Sequence, residues 1–310
     1  MRGNPLAAAL LLAATLIPAQ QARAQVLTAT NRGVVVATPH RIELKGVWSV
    51  EGVEHPTFIT ASEDRVLVLD AINNEAVIVE RGAAQRIRTA ETPVAASFVG
   101  NDVYILARDG GVVHQIGGPD TKTQADLLRG EWLYSRATGA LTKIGGTTVQ
   151  TPPFASDLEV DGDTVYLTYP REAAVRSVRA GIVETIKVGA VPVDLAIAGN
   201  LIAVADPSSK RIWMTEGRQT VAEAFARGFV RGFLGLSSGR GNREFPTGVD
   251  RVGTRGRVWV AYDSSTGTLY SFTRKQSTMI ARGVPANGWA VTANGVAWWD
   301  GTSVAQKTLR

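Results

Sequence analysis

The chain is expected to fold as one all-β domain: a single β-propeller of seven blades (six as the alternative), each a four-stranded antiparallel sheet, with one helical insertion. Three observations carry this expectation. A phrase of four short strands separated by turn residues fills residues 245–283. The same phrase returns about every 40 residues along the chain. Finally, the second strand of each repeat is apolar on both faces, which suits a sheet packed between two neighbours rather than one with a wet side.

Within 245–283 the strands are expected at 247–251, 257–262, 268–273 and 277–282. Gly253 and Gly256, the run Asp263-Ser264-Ser265-Thr266-Gly267, and Arg274-Lys275-Gln276 separate them. Glycine supplies positive φ in such turns, while Asp and Ser side chains bond back to the turn backbone. A proline precedes each expected innermost strand, at Pro56, Pro93, Pro153, Pro192, Pro246 and Pro285. Three of the intervals, from Pro56, Pro153 and Pro246, are 37, 39 and 39 residues. The longer gap after Pro93 leaves room for a degenerate blade at 123–146, and the count reaches seven. The second strands read VLVLD, VYILA, EWLYS, VYLTY, IAVAD, VWVAY and VAWWD. Asp70, Asp206, Asp263 and Asp300 end or follow such strands, where a carboxylate caps the turn into the third strand.

The unit after Pro285 has room for only three strands before Arg310. Residues 33–37 and 41–48 look strand-like, so an N-terminal strand is expected to complete the last blade and remove an open sheet edge. Ahead of them, Arg2, the apolar run 6–17, Pro18 and Ala22-Arg23-Ala24 have the order of a cleavable signal peptide, residues 1–24, leaving 25–310 as the propeller domain. The run is too short to cross a bilayer of about 30 Å as a helix. With no cysteine, disulfides, thiol catalysis and thiolate metal sites are excluded. Export to a periplasm or the exterior, as a monomer, fits both features. The formal net charge of +5 falls to +3 without Arg2 and Arg23, and the cations form no stripe, so no nucleic-acid partner is expected.

One segment breaks the period. Residues 221–244 form an insertion in which Phe225, Phe229 and Phe233 recur every fourth residue, the spacing of a helix face. A helix is expected at 221–236, followed by a Gly-rich arm at 237–243. The three phenylalanines are candidates for docking a partner.

Several phrases resemble known bacterial propeller families. Gly241-Asn242-Arg243-Glu244-Phe245-Pro246-Thr247-Gly248-Val249 is similar to the lead-in of NHL repeats. The stretch from Ala261 to Tyr270 resembles the quinoprotein-type hairpin, with a weaker copy at 135–141, and the blades as a whole resemble YVTN repeats. These likenesses imply blades, not chemistry. Gly52-Val53-Glu54-His55-Pro56 looks like the first-blade motif of gluconolactonase-type (senescence marker protein) propellers. That resemblance implies a divalent cation, calcium or magnesium, held in the channel by oxygen ligands, with Glu54 and Asp194 as the matching residues. Val193 stands where that family has its Asn ligand.

Other chemical signatures are sparse. His40, His55 and His114 form no ligand-spaced pair. Gly235-Leu236-Ser237-Ser238-Gly239 matches the nucleophile-elbow letters, but it follows a helical pattern and precedes a loop, the reverse of the required strand–turn–helix order. The remaining candidates come from topology. Innermost strands line a propeller's channel, so Glu54, His55, Asp157, Asp194, Asp250 and Asn287 are candidates to converge on one mouth. The function expected is an exported, non-catalytic propeller that binds a protein, peptide or small ligand without a cofactor. A cation-dependent lactonase or esterase acting at the channel mouth is the alternative.

Overall fold

A computed structural model describes residues 25–109, 111–121, 123–189, 191–216, 241–273 and 276–309. They form eight antiparallel sheets in chain order, each paired strand to strand in sequence. The blades cover 26–51, 58–88, 93–115, 127–150, 157–187, 194–216 with 241–244, 251–281, and 289–308. The innermost strand of each blade neighbours that of the next, and Val26–Ala29 meets Trp289–Thr292 to close the ring. The molecule is an eight-bladed β-propeller.

The expected count of seven is therefore corrected to eight. The additional blade is the first. Val26–Ala29, Val34–Thr38, Arg41–Leu44 and Trp48–Glu51 make a complete sheet of their own instead of lending a strand to the last blade. Its strands are only four or five residues long, and no proline marks its start. A repeat anchored on proline passes over so compact a unit. The degenerate blade is present, shifted to 127–150. In the organising repeat the first strand runs Arg251–Arg255, four residues later than expected, because 247–250 are the lead-in to the blade.

Why eight sheets cohere is written in the second strands. Residues of Arg65–Asp70 alternate between neighbours: Val66 and Val68 pack with Val35, Ile42 and Leu44 of blade one, while Leu67 and Leu69 pack with Ala96, Val103 and Ile105 of blade three. Successive side chains of a strand point to opposite faces, so both faces here are core. The extreme cases are Thr164–Tyr169 and Val258–Asp263, in which all six residues are buried. Fully burying one such Val or Leu contributes about 1.5–3 kcal/mol.

Ring closure uses side chains instead of a shared sheet. Blade eight keeps only its own three strands, without the N-terminal strand expected to complete it, and its seam with blade one is sealed by Leu27 and Val34 against Ala290 and Ala297, with Trp299 and Val304 alongside. Asn287 fastens the seam: its carbonyl accepts from Leu27 N at 3.0 Å, its Nδ2 donates to the Thr57 carbonyl at 3.2 Å, and its Oδ1 accepts from Arg251 at 3.1 Å. Asn287→Ala is expected to lower the unfolding free energy by about 1 kcal/mol, the usual net worth of such bonds at an exposed side chain. Urea unfolding would measure it, and an unchanged midpoint would count against the fastening role.

The expected helix at 221–236, with Phe225, Phe229 and Phe233, lies outside the described residues. Among the described residues there is no α-helix, only a single 3-10 turn, Pro170–Glu172. The end of the expected Gly-rich arm is a strand: Gly241–Glu244 is the outer strand of blade six, paired with Arg211–Glu216. Among the described residues no helix is long and apolar enough to cross a membrane.

Candidate functional site

Successive strands run in opposite directions, so the lead-in to each blade and the turn between its second and third strands share one face of the disc. That face surrounds the mouth of the channel at which the innermost strands begin.

Asp157 and Asp194 hold the same place in blades five and six, each the first residue of its innermost strand. Each reaches forward to the next blade. Asp157 Oδ2 accepts from Leu195 N at 3.1 Å, and Asp194 Oδ2 accepts from Val252 N at 2.7 Å. The two carboxyls lie close enough for each to raise or lower the other's proton affinity. Glu159, two residues beyond Asp157 and hence on the same side of the strand, is bridged by Arg129 of blade four at 2.5 and 3.1 Å.

By surface area these carboxyls are half-buried, yet eight sheets enclose the neck in which they sit. Removal from bulk water pushes Asp194 well above the usual carboxylate range, and the negative charge of Asp157 adds to the shift. Asp157 is raised by the same burial, against backbone bonds from Leu158 and Leu195 and the charge of Arg129. Burial takes Glu159 up to about 7 although Arg129 opposes it. Arg129 is itself held more firmly protonated by Glu159. Two carboxylates this close repel each other when both are ionised, so the arrangement favours a proton held between Asp157 and Asp194.

The other expected mouth residues are placed differently. Glu54 and His55 lie on the mouth face at blade two, across the ring from Asp194. Asn73 Nδ2 donates to Glu54 Oε2 at 3.3 Å and to Asp70 Oδ2 at 3.0 Å, and lies 3.3 Å from His55 Nδ1. The His55 N–H donates to Asp70 Oδ2 at 2.9 Å. This group ties the lead-in to its own turn. Asp250 accepts from the N–H and hydroxyl of Ser264 within blade seven, and Asn287 fastens the seam already described. The topology thus brings Asp157 and Asp194 together, and leaves Glu54, His55, Asp250 and Asn287 at separate points of the rim.

The turn aspartates behave as expected of caps. Asp70 accepts from Ile72 and Asn73 N–H, Asp206 from Ser209, Asp263 from Ser265 and Thr266, and Asp300 from Thr302 and Ser303. His114 pairs with Asp120 at 2.9 Å on blade three, away from any second histidine. Among the described residues no group of three or more His, Asp or Glu side chains is arranged to hold a metal ion.

Sequence reasoning did not single out Glu159 or Arg129. The Asp157-Leu158-Glu159 alternation at the head of an innermost strand was the available signal for the first. Nothing local marks Arg129, whose role depends on the neighbouring blade. Among the described residues, clefts lie between blades eight and one, about 500 Å³ beside Trp299 and Arg41, at blade seven, about 580 Å³ beside Tyr270 and Met279, and between blades five and six, about 240 Å³ beside Val188 and Trp213.

No protein-family model and no curated protein sequence matches the chain, so the finer likenesses to YVTN, NHL, quinoprotein-type and gluconolactonase-type repeats rest on short phrases alone. Solved structures do match along its length. Virginiamycin B lyase from Staphylococcus aureus is 11% identical with a TM-score of 0.55, over 94% of this chain and 97% of that one. The computationally designed Ika8 protein is 12% identical with a TM-score of 0.64, over 93% and 96%. Hsv2 from Kluyveromyces lactis is 12% identical with a TM-score of 0.57, over 84% and 97%. At these identities the likeness is one of architecture, and what it establishes is that this chain is a β-propeller.

Proposed function

We propose that the protein is an exported, monomeric, non-catalytic binding module that takes its partner on the channel-mouth face. The observation that carries this reading is the exposed apolar set on that face. Ile72, in a second-to-third-strand turn, Phe154 and Val191, both in lead-ins, are large side chains left in water. Ile72 belongs to blade two, and Phe154 and Val191 to the lead-ins of blades five and six, on the face whose inner carboxyls accept from backbone N–H groups. Val47 and Ile182 are exposed on the opposite face and serve as the comparison. Export is argued from residues 1–24, as above. Loops held on a rigid scaffold are where recognition is usually built.

The test is site-specific photocrosslinking in the producing cell's exported fraction. A crosslinker at Ile72 or Val191 is expected to give discrete adducts, and one at Val47 or Ile182, on the opposite face, none. Adducts from the opposite face alone, or from neither, would overturn the reading.

The alternative, a cation-dependent hydrolase, draws on the structural likeness to a lyase and on Glu54 and Asp194. Glu54 accepts from Asn73 within its own blade and Asp194 from Val252 of the next, which favours the binding reading. Melting in calcium, in magnesium and in chelator is expected to give one midpoint. A ligated cation at 100 times its Kd would add about 2.7 kcal/mol, so a rise of several degrees would favour the hydrolase.

A further inference from the structure

We infer that Phe154 and Arg171 form the anchor of the partner site, and that the group they receive is a carboxylate beside an apolar or aromatic side chain, as in an acidic segment of a protein. The inference rests on the binding reading above and names the patch and the partner's chemistry.

Phe154 adopts φ of +68°, a conformation that crowds the Cβ of any L-residue and is a true outlier for a bulky one. It is also 54% exposed. An aromatic side chain held in a costly backbone state, with much of its ring in water, does little for the core.

The surrounding structure enforces this state. The Tyr134 hydroxyl donates to the Pro152 carbonyl at 2.8 Å and accepts from Ala155 N at 3.0 Å. The Tyr169 hydroxyl lies 3.0 Å from both Thr151 Oγ1 and the Pro152 carbonyl. Both rings are buried. Arg136 holds the next residues, donating to the carbonyls of Ala155 and Ser156 at 3.1 Å each, while its own carbonyl accepts from Phe154 N at 2.9 Å. The loop is clamped from both ends around one exposed ring.

Arg171 supplies the charge. Its guanidinium carbon stands 5.0 Å from the centre of the Phe154 ring, and the residue is exposed to solvent. It has no ion-pair partner among the described residues. The adjacent acid, Glu172, is engaged with Arg176 at 2.5 Å, and Asp126, on the side of Arg136, accepts from its backbone N–H at 2.6 Å. A guanidinium held over an aromatic ring and without an ion-pair partner among the described residues can form bidentate bonds to a carboxylate, and arginine is enriched among the residues that carry most of the binding energy at protein interfaces. The Arg136 guanidinium, bonded only to carbonyls, adds to the positive field that a carboxylate would meet.

The test uses the purified protein and two synthetic probes, Ac-Glu-Phe-Glu-Leu-Asp-amide and its neutral isostere Ac-Gln-Phe-Gln-Leu-Asn-amide, in calorimetric titration. The acidic peptide is expected to bind at least tenfold more tightly than the neutral one. Phe154→Gly and Arg171→Gln should each weaken it at least tenfold, and Phe154→Tyr should retain it. Phe154→Gly should melt no lower than the wild type, since glycine accepts positive φ without strain. A lower melting point for Phe154→Gly would make the ring a packing element and overturn the inference. So would equal affinities of the two peptides, unaltered binding by both variants, or no binding to the wild type. If any of these occurs while crosslinks still form at Ile72 and Val191, the anchor assignment falls and the binding reading stands. Crosslinks confined to Val47 and Ile182 would remove both.

Discussion

Asp194→Asn is expected to melt about 3–6 °C above the wild type at pH 8 and to lose that advantage by pH 4. Asp194 and Asp157 carry pKa values raised above their unfolded ones, because the channel neck withholds water and brings two carboxyls close together. A carboxyl raised on folding contributes stability below its unfolded pKa, near 4, and that contribution is lost as the pH climbs through the folded value. For Glu159 the window runs from 4.5 to about 7; for the aspartate pair it opens near pH 4 and extends upward. The wild type is therefore expected to lose stability between pH 5 and 8. Asparagine still accepts the Val252 N–H and donates to Asp157, so it keeps the bridge between blades and removes the proton requirement. A tenfold change in a carboxyl's proton affinity on folding corresponds to about 1.4 kcal/mol, and 1 kcal/mol moves the midpoint of a chain this size by about 2–4 °C. Melting curves at pH 4, 5, 6, 7 and 8 decide the matter. A wild type equally stable at pH 5 and 8, or a variant weaker throughout, would refute the shared proton.

Gly139→Ala is expected to cost about 3 kcal/mol or more, against about 1 kcal/mol for Gly145→Ala. Both glycines sit in turns of blade four with nearly the same positive φ, +74° and +67°, so the intrinsic penalty for a Cβ is common to both. Their surroundings differ. A Cβ on Gly145 meets nothing within 4 Å, whereas one on Gly139 runs into the carbonyl oxygen of Thr151 and comes within 2.8 Å of the Pro152 carbonyl carbon. Those atoms are backbone and cannot rotate away. They also belong to the clamp beneath Phe154: Thr151 N and Oγ1 donate to the Gly139 carbonyl at 3.0 and 2.8 Å. Chemical denaturation of the two variants side by side measures the difference. Equal losses would mean that the approach of the 139 turn to the 151 loop does not constrain the fold.

Pattern and topology divided the legible from the illegible. The blade type could be read because each second strand must be apolar on both faces to lie between two sheets, a constraint visible in stretches such as Val165-Tyr166-Leu167. The aspartate caps could be read because a carboxylate two or three residues from its N–H donors acts locally. The number of blades could not. Blade one obeys the same packing rule with shorter strands and without the proline, and nothing within 26–51 states that it closes on 289–308 rather than inside it.

The candidate site splits along the same line. Residue type and strand position were enough to nominate Asp157 and Asp194. Their closeness to each other, the bridge from Arg129 to Glu159 and the dispersal of Glu54, His55, Asp250 and Asn287 around the rim depend on which blades stand side by side. Phe154 gave no signal at all in the chain, since a phenylalanine after two prolines reads as an ordinary loop residue. By itself the sequence determined an all-β propeller, because burial on two faces and turn chemistry are local and repeat. Only the tertiary structure decided that there are eight blades, that two carboxyls share a channel neck, and that one strained ring is held out to solvent. Those outcomes follow from distances between residues far apart in the chain.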